Sequence, residues 1–158
     1  MSEEQIVIQY HPEIDKEADE LIFWAAARAG VIVATPILGM IALMANEIYM
    51  IVRLGNAYGV KITETAAAGF LMSLGASFAG KTLVTLIPLP ILQVPVGVSV
   101  TYAVGRVAQA WIKAGMPDNP EELRREFAKL KDEAMKRIDE FTMHPKKEIP
   151  LGDETRKF

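Results

Sequence analysis

The chain has no cysteine among its 158 residues, which excludes disulfides and thiolate metal sites and fits a reducing compartment. It has no excess of base either. Seventeen lysines and arginines stand against twenty acids, a net charge of −3, and the pI is about 5.5. Without a basic field to hold phosphates, nucleic acid is not an expected partner. Only two histidines are present. His11 and His144 sit beside prolines in the polar ends with no second ligand nearby, and they read as surface residues rather than metal ligands. No Ser-His-Asp order can be defended and no carboxylates cluster in the apolar region, so no catalytic residue, cofactor or metal site is assigned. The first twenty residues are acidic and lack the basic and apolar regions of a secretory signal, which predicts no export.

What is present is apolar. Hydrophobic residues make up 51% of the chain and the mean hydropathy is +0.19, with the excess concentrated between Leu21 and Met116. The most unusual stretch runs from Thr82 to Gly105: it carries no charge and is broken by Pro88, Pro90 and Pro95. It is too apolar for a loop and too proline-broken for one helix. It reads as the end of one helix, an uncharged turn, and the start of the next.

The rest of the chain falls into place around that hairpin. Residues 1–14 are expected to form an extended polar arm. From about Asp15, Ile14, Ala18, Leu21, Ile22, Ala25 and Ala29 recur at helical spacing behind an acidic first turn, and the helix stops near Thr35-Pro36. A second helix runs from Pro36 to Tyr58, closed by Gly59. Its length of about 34 Å is enough to cross a hydrocarbon core. A third takes Thr63 as N-cap and continues to about Ile87. A fourth picks up near Pro95 and ends at Gly115 and Pro117. Asn119, Pro120 and the acids Glu121-Glu122 begin a fifth, whose apolar stripe of Leu123, Phe127, Leu130, Ala134, Ile138 and Phe141 marks a surface helix. Predicted, then, is an all-α protein: a four-helix apolar bundle of two helical hairpins over 15–117, an amphipathic helix over 118–142 and a disordered tail over 143–158.

Small residues recur every four positions at Ala26, Gly30 and Ala34, at Gly69, Ser73 and Ser77, and at Gly97, Thr101 and Gly105. Such ridges let helix backbones approach closely, in a membrane or in an alanine-rich bundle. Glu47 lies on the same side of its helix as Met40, Ile51, Leu54 and Tyr58, where an unpaired carboxylate is costly. It is expected to be protonated or paired, with Arg106 the first candidate partner and Lys81 the second. Residues 75–82, GASFAGKT, formally match a phosphate-binding loop, but the residues before them read as helix rather than strand and no later strand supplies a Mg²⁺-associated aspartate. Nucleotide binding there is a minor alternative.

Between Thr35 and about Lys113 the chain resembles a known bacterial family. The residues that carry the resemblance are Pro36, Glu47 with Met50-Ile51, Tyr58-Gly59, Leu86-Ile87-Pro88 and above all Thr101-Tyr102-Ala103-Val104-Gly105-Arg106. They are similar to domain of unknown function 697, found beside Era-like GTPase domains and in YcjF-like inner-membrane proteins. That family often has an aspartate in place of Gly39 and a glutamine in place of Glu47. The resemblance implies a membrane-associated helical domain with no assigned chemistry and a separate GTPase as a possible partner.

Three functional readings follow. The first is a non-enzymatic structural or adaptor protein on the cytoplasmic side of the inner membrane. Its lipid-facing tip would be Pro36, Ile37, Pro88, Leu89, Pro90, Ile91 and Leu92, backed by a basic collar of Arg28, Lys81 and Arg106. The second is a soluble, cytoplasmic homo-oligomer that buries those tips against copies of itself. The third is the nucleotide-binding loop.

Overall fold

The computed structural model describes residues 12–35, 39–74 and 90–156. Among these residues there are six helices and no strand: α1 Pro12–Ala34, α2 Gly39–Ala57, α3 Glu64–Ser73, α4 Pro90–Lys113, α5 Pro120–Met135 and α6 Ile138–Thr142. The all-α expectation holds. Helix α1 begins at Pro12, so the last residues assigned to a polar arm are helical, with Glu13 and Asp15 in the first turn where they complement the helix dipole.

Local chemistry sets most of the boundaries. Helix α2 ends in a Schellman motif: Gly59 takes a φ of 73°, its N–H bonds to Asn56 O at 3.1 Å, and the N–H of Val60 bonds to Gly55 O at 2.8 Å. The end of α4 repeats it, with Gly115 at a φ of 88° and Met116 N–H donating to Trp111 O at 2.8 Å. Thr63 caps α3, its Oγ1 accepting from Ala66 N at 3.0 Å. Asn119 does not cap α5 in that way. It makes no side-chain bond to the backbone, and its Nδ2 donates to Glu122 Oε2 at 2.8 Å instead.

The register of the bundle is set by α1 against α4. The two run antiparallel, and small residues bring them close: a Cβ on Gly30 would fall 2.9 Å from Val98 Cγ2, and one on Gly97 would fall 2.8 Å from Val33 Cγ1. Gly105 meets α1 and α2 together, since a Cβ there would lie 2.8 Å from Ile22 on α1 and 2.9 Å from Met50 Sδ on α2. Two of the small-residue ridges therefore do pack helices together. The third does not at Gly69, which has open space around it. Helix α2 lies antiparallel to α1 and parallel to α4, α3 packs on α2, and α5 and α6 cover α4 and α1. Phe23, Tyr102 and Phe141 gather into an aromatic cluster where α1, α4 and α6 meet, with centroids 4.9 to 5.8 Å apart.

Several expectations need correction. Helix α4 starts at Pro90, five residues before Pro95, which lies inside it in the second turn, where a proline removes the ladder bond to the carbonyl four residues back. The segment 118–142 is two helices, because the chain breaks helical hydrogen bonding at Lys136-Arg137. The tail from residue 143 is not disordered: through Arg156 it is laid over α1 and α2, and Leu151 is 2% exposed. Among the described residues no helix is long and apolar enough to cross a membrane. Although α2 approaches the needed length, it carries Asn46, Glu47 and Arg53.

These contacts predict opposite responses at two glycines. Gly105→Ala should destabilise by about 1–3 kcal/mol through overpacking. Gly69→Ala, in an exposed helix turn with nothing near it, should stabilise by about 0.5–1 kcal/mol. Urea unfolding midpoints of the two variants test both signs.

Candidate functional site

A polar stripe runs down one side of α4 in an otherwise apolar helix: Tyr102, Arg106, Gln109 and Lys113, spaced four, three and four residues apart. Antiparallel α1 places Asp15 and Asp19, one turn apart, opposite its lower end. Lys113 Nζ bonds both carboxylate oxygens of Asp15, at 3.1 and 3.0 Å. Arg106 pairs with Asp19, donates through Nη1 to Gln109 Oε1 at 3.0 Å, and donates through Nε to Tyr102 Oη at 3.0 Å. The hydroxyl of Tyr58, at the end of α2, donates to Asp15 and receives Nε2–H of Gln109 at 2.9 Å. Arg137, at the start of α6, reaches Tyr102 Oη at 3.4 Å and pairs with Glu140. One network thus ties together α1, α2, α4 and α6.

The electrostatics of this network favour bracing over chemistry. Burial pushes the Asp15 carboxyl up, but the bonds from Tyr58 and Lys113 and the charges of Lys113 and Arg106 outweigh it and hold the group below its usual range. Burial, with the neighbouring Asp15, pushes the Tyr58 phenol well up. A phenol so held keeps its proton, and every charged member has a partner. Among the described residues no three histidine, aspartate or glutamate side chains gather to hold a metal ion.

Glu47 forms a separate site toward the other end. It is 4% exposed, and Thr101 Oγ1 donates to its Oε2 at 3.0 Å. Arg106 is not its partner. The two positions on α4 are five residues apart, about 140° around the helix, so Arg106 points at α1 while Thr101 points at α2. The error traces to the helix start: Glu47 lies 11 residues past Pro36, and it is Thr101 that lies 11 past Pro90. Burial pushes the Glu47 carboxyl up to about 7, against the lowering effect of the Thr101 bond. Beside it in sequence, Asn46 is also buried; its Nδ2 donates to Ala25 O at 3.0 Å, while its Oδ1 has no partner among the described residues.

The remaining predicted residues scatter. Arg28 faces no head group: it is 7% exposed and bonds both oxygens of Glu154, at 2.7 and 2.6 Å. Arg106 lies 16 residues from Pro90, about 24 Å along the helix, and pairs with Asp19, so the basic collar does not form from these two. Lys81, Pro36, Ile37, Pro88, Leu89, His11 and the loop-like residues 75–82 lie outside the described residues. Pro90, Ile91 and Leu92 make the first turn of α4.

What the sequence reading missed is a surface cleft of about 670 Å³ between α1, the end of α2 and the start of the tail. Glu17, Glu20, Trp24, Arg53, His144 and Lys146 line it. Arg53 and Lys146 both sit over the Trp24 ring, 5.2 and 5.1 Å from its centroid. Burial and the charge of Lys146 hold the His144 imidazole below its ordinary range, against the pull of Glu20. A tail without periodicity gave no signal for any of this.

An antiparallel α1/α4 core, a polar network that ties four helices together and a buried glutamate define a helical domain. The chain belongs to the family described as Domain of unknown function (DUF697), whose model matches residues 3–116. The match is wider than the stretch carrying the motif residues and takes in all of α1. No curated protein and no solved structure matches the chain.

Within the family motif each polar residue now has a contact: Thr101 meets Glu47, Tyr102 and Arg106 join the network, and Gly105 sits where three helices meet. The buried glutamate generates a pH signature. A folded-state value of about 7, against an ordinary 4.5, means that the fold binds the Glu47 proton where the unfolded chain has released it. Stability from this group is therefore full below pH 4.5 and is lost as pH rises to about 7. Glu47→Gln keeps an acceptor for Thr101 and removes the titration. It should match the parent near pH 4.5 and exceed it at pH 8 by about 3 kcal/mol, read from chemical denaturation across pH. An unaltered pH profile in the variant would show that Glu47 is not the group responsible.

Proposed function

We propose that this domain is a non-enzymatic helical module that attaches through its uncharged end to one leaflet of a membrane, on the cytoplasmic side of a bacterial inner membrane. In this reading it serves as a structural or adaptor piece, and the partner implied by its family resemblance is a separate GTPase.

One observation carries the proposal: among the described residues, the stretches where α1 stops and α2 and α4 start carry no charge. Residues 29–46 and 82–105 contain no Asp, Glu, Lys or Arg. At that end Ile41 and Met44 are 46% and 40% exposed, on a face where a soluble helix ordinarily places polar residues. The opposite end holds the Asp15–Lys113 and Asp19–Arg106 pairs. Such zonation suits insertion to the depth of one leaflet, which requires no spanning helix and moves no charged loop across the bilayer. Burying side chains the size of Ile41 and Met44 is worth about 1.5–3 kcal/mol each.

The test uses the double variant Ile41→Asp/Met44→Asp, whose sites are exposed so that far-UV circular dichroism should not change. Flotation with phospholipid vesicles, anionic and neutral, should show the parent in the lipid fraction and the variant reduced at least tenfold. Equal partitioning of the two would sink the membrane reading. So would a lipid-free oligomer of the parent, with no vesicle binding, that the double variant dissociates; that result would favour self-association of the apolar end.

A further inference from the structure

The tail does not lie on the bundle by diffuse apolar contact. Three directional donors on α1 and α2 take main-chain carbonyls of the tail at every second residue: Arg28 Nη1 to Lys147 O at 3.3 Å, Trp24 Nε1 to Ile149 O at 2.9 Å, and Arg53 Nη2 to Leu151 O at 2.7 Å. Leu151 is buried at 2% exposure. Gly152 then passes over the Tyr49 ring so closely that a Cβ would fall 2.7 Å from it. The carboxylate of Glu154 finally enters the fork of Arg28, aimed there by a turn in which Asp153 Oδ1 accepts from Thr155 N at 3.0 Å. Main-chain carbonyls held by side-chain donors, one buried apolar residue, a glycine forced by an aromatic floor and a terminal bidentate carboxylate are the elements by which a groove reads a linear peptide.

The groove and its occupant also differ in where they stand relative to the family model. Trp24, Arg28, Tyr49 and Arg53 all fall inside residues 3–116, which the family model matches, whereas residues 147–154 fall outside it. The receptor surface lies within the stretch that the family model matches, and the segment that fills it lies outside that stretch.

We propose that the α1/α2 groove is a docking site for a linear peptide of the pattern Leu-Gly-x-Glu, and that residues 147–154 are its intramolecular occupant, which a partner protein bearing the same pattern displaces. The site recognises the carbonyl ladder through Trp24 and Arg53, the apolar residue by burial, and the carboxylate by Arg28. Tethering gives the chain's own segment an effective concentration in the millimolar range, so the trans peptide is excluded until the tail is loosened or outcompeted. This inference is independent of the membrane reading: Trp24, Arg28, Tyr49 and Arg53 all lie outside the uncharged stretches 29–46 and 82–105, and its test contains no lipid-dependent step.

The experiment uses the full chain, unaltered and with the tail loosened by Leu151→Ser/Glu154→Gln, and a fluorescent peptide of residues 144–156, HPKKEIPLGDETR. Anisotropy titration should give saturable binding to the loosened chain and at least tenfold weaker binding to the unaltered one. A peptide carrying the Glu154→Gln change should bind the loosened chain at least tenfold more weakly, as should one with Gly152→Val. The proposal is overturned if the loosened chain keeps its helical circular dichroism and binds no peptide, or if it binds the altered peptides equally well. Should the loosened chain unfold, hydrogen exchange on the unaltered chain decides. Amides of 148–156 should exchange at least a hundredfold faster than those of α1 and α4, because the tail opens by itself; equal protection would mean that the groove never empties in the folded protein and would overturn the displacement.

Discussion

The close approach of α1 and α4 is the constraint on which the rest of this structure depends. Gly30, Gly97 and Gly105 leave no room for side chains at the crossing, so the two backbones come together at a fixed register that larger residues would shift. That register decides which polar residues meet. With Gly105 against Ile22, Asp19 falls beside Arg106 and Asp15 beside Lys113. With Gly105 also against Met50, α2 is held so that Glu47 meets Thr101 and Tyr58 meets Gln109. The polar contacts are thus consequences of a packing choice made by three missing side chains. In turn they make any other register costly, because a slip by one turn would strand buried charges.

The parts of this arrangement that were legible in the sequence are those fixed by neighbours along the chain. Gly59, Gly115 and Thr63 announce helix ends because their effect is local, and each acts as its residue type predicts. The small-residue ridges on α1 and α4 were visible as a spacing, and they are where the helices touch. The start of α4 was not legible: three prolines, at 88, 90 and 95, each suit the first turn of a helix, and no local rule chooses among them. Choosing Pro95 over Pro90 moved the register by five residues and turned Thr101 into Arg106 as the expected partner of Glu47. The tail was illegible for another reason. Its contacts with the bundle reach back 92 to 126 residues, its apolar residues are single, and its recognition rests on main-chain carbonyls that every sequence possesses.

Charge is distributed along the bundle in a graded way. At one end carboxylates and cations are paired and partly open to water; in the middle Glu47 and Asn46 are buried with few partners; beyond them the described residues of 29–46 and 90–105 carry no charge, and Arg28 beside them is paired with Glu154. A buried carboxyl midway between a polar and an apolar end is poised where small changes in hydration alter its protonation most. The substitution toward glutamine that the family resemblance describes would remove this sensitivity while preserving the bond to Thr101. The glutamate in this chain therefore adds a titration to a position whose packing role does not need one.

The bond between Arg28 and Glu154 joins residues 126 apart in the chain, and this separation can be read as time. Synthesis at about 5–20 residues per second places roughly 6 to 25 seconds between the emergence of the two. Helix–coil relaxation takes about a microsecond and helical domains fold in microseconds to milliseconds, so α1 and α2 can fold against α4 long before the tail exists. From the emergence of α4 until the tail follows, Trp24, Arg28 and Arg53 stand with their donors in water on a finished surface. For a brief period in the life of every molecule, the groove is formed and the segment that fills it has yet to be made.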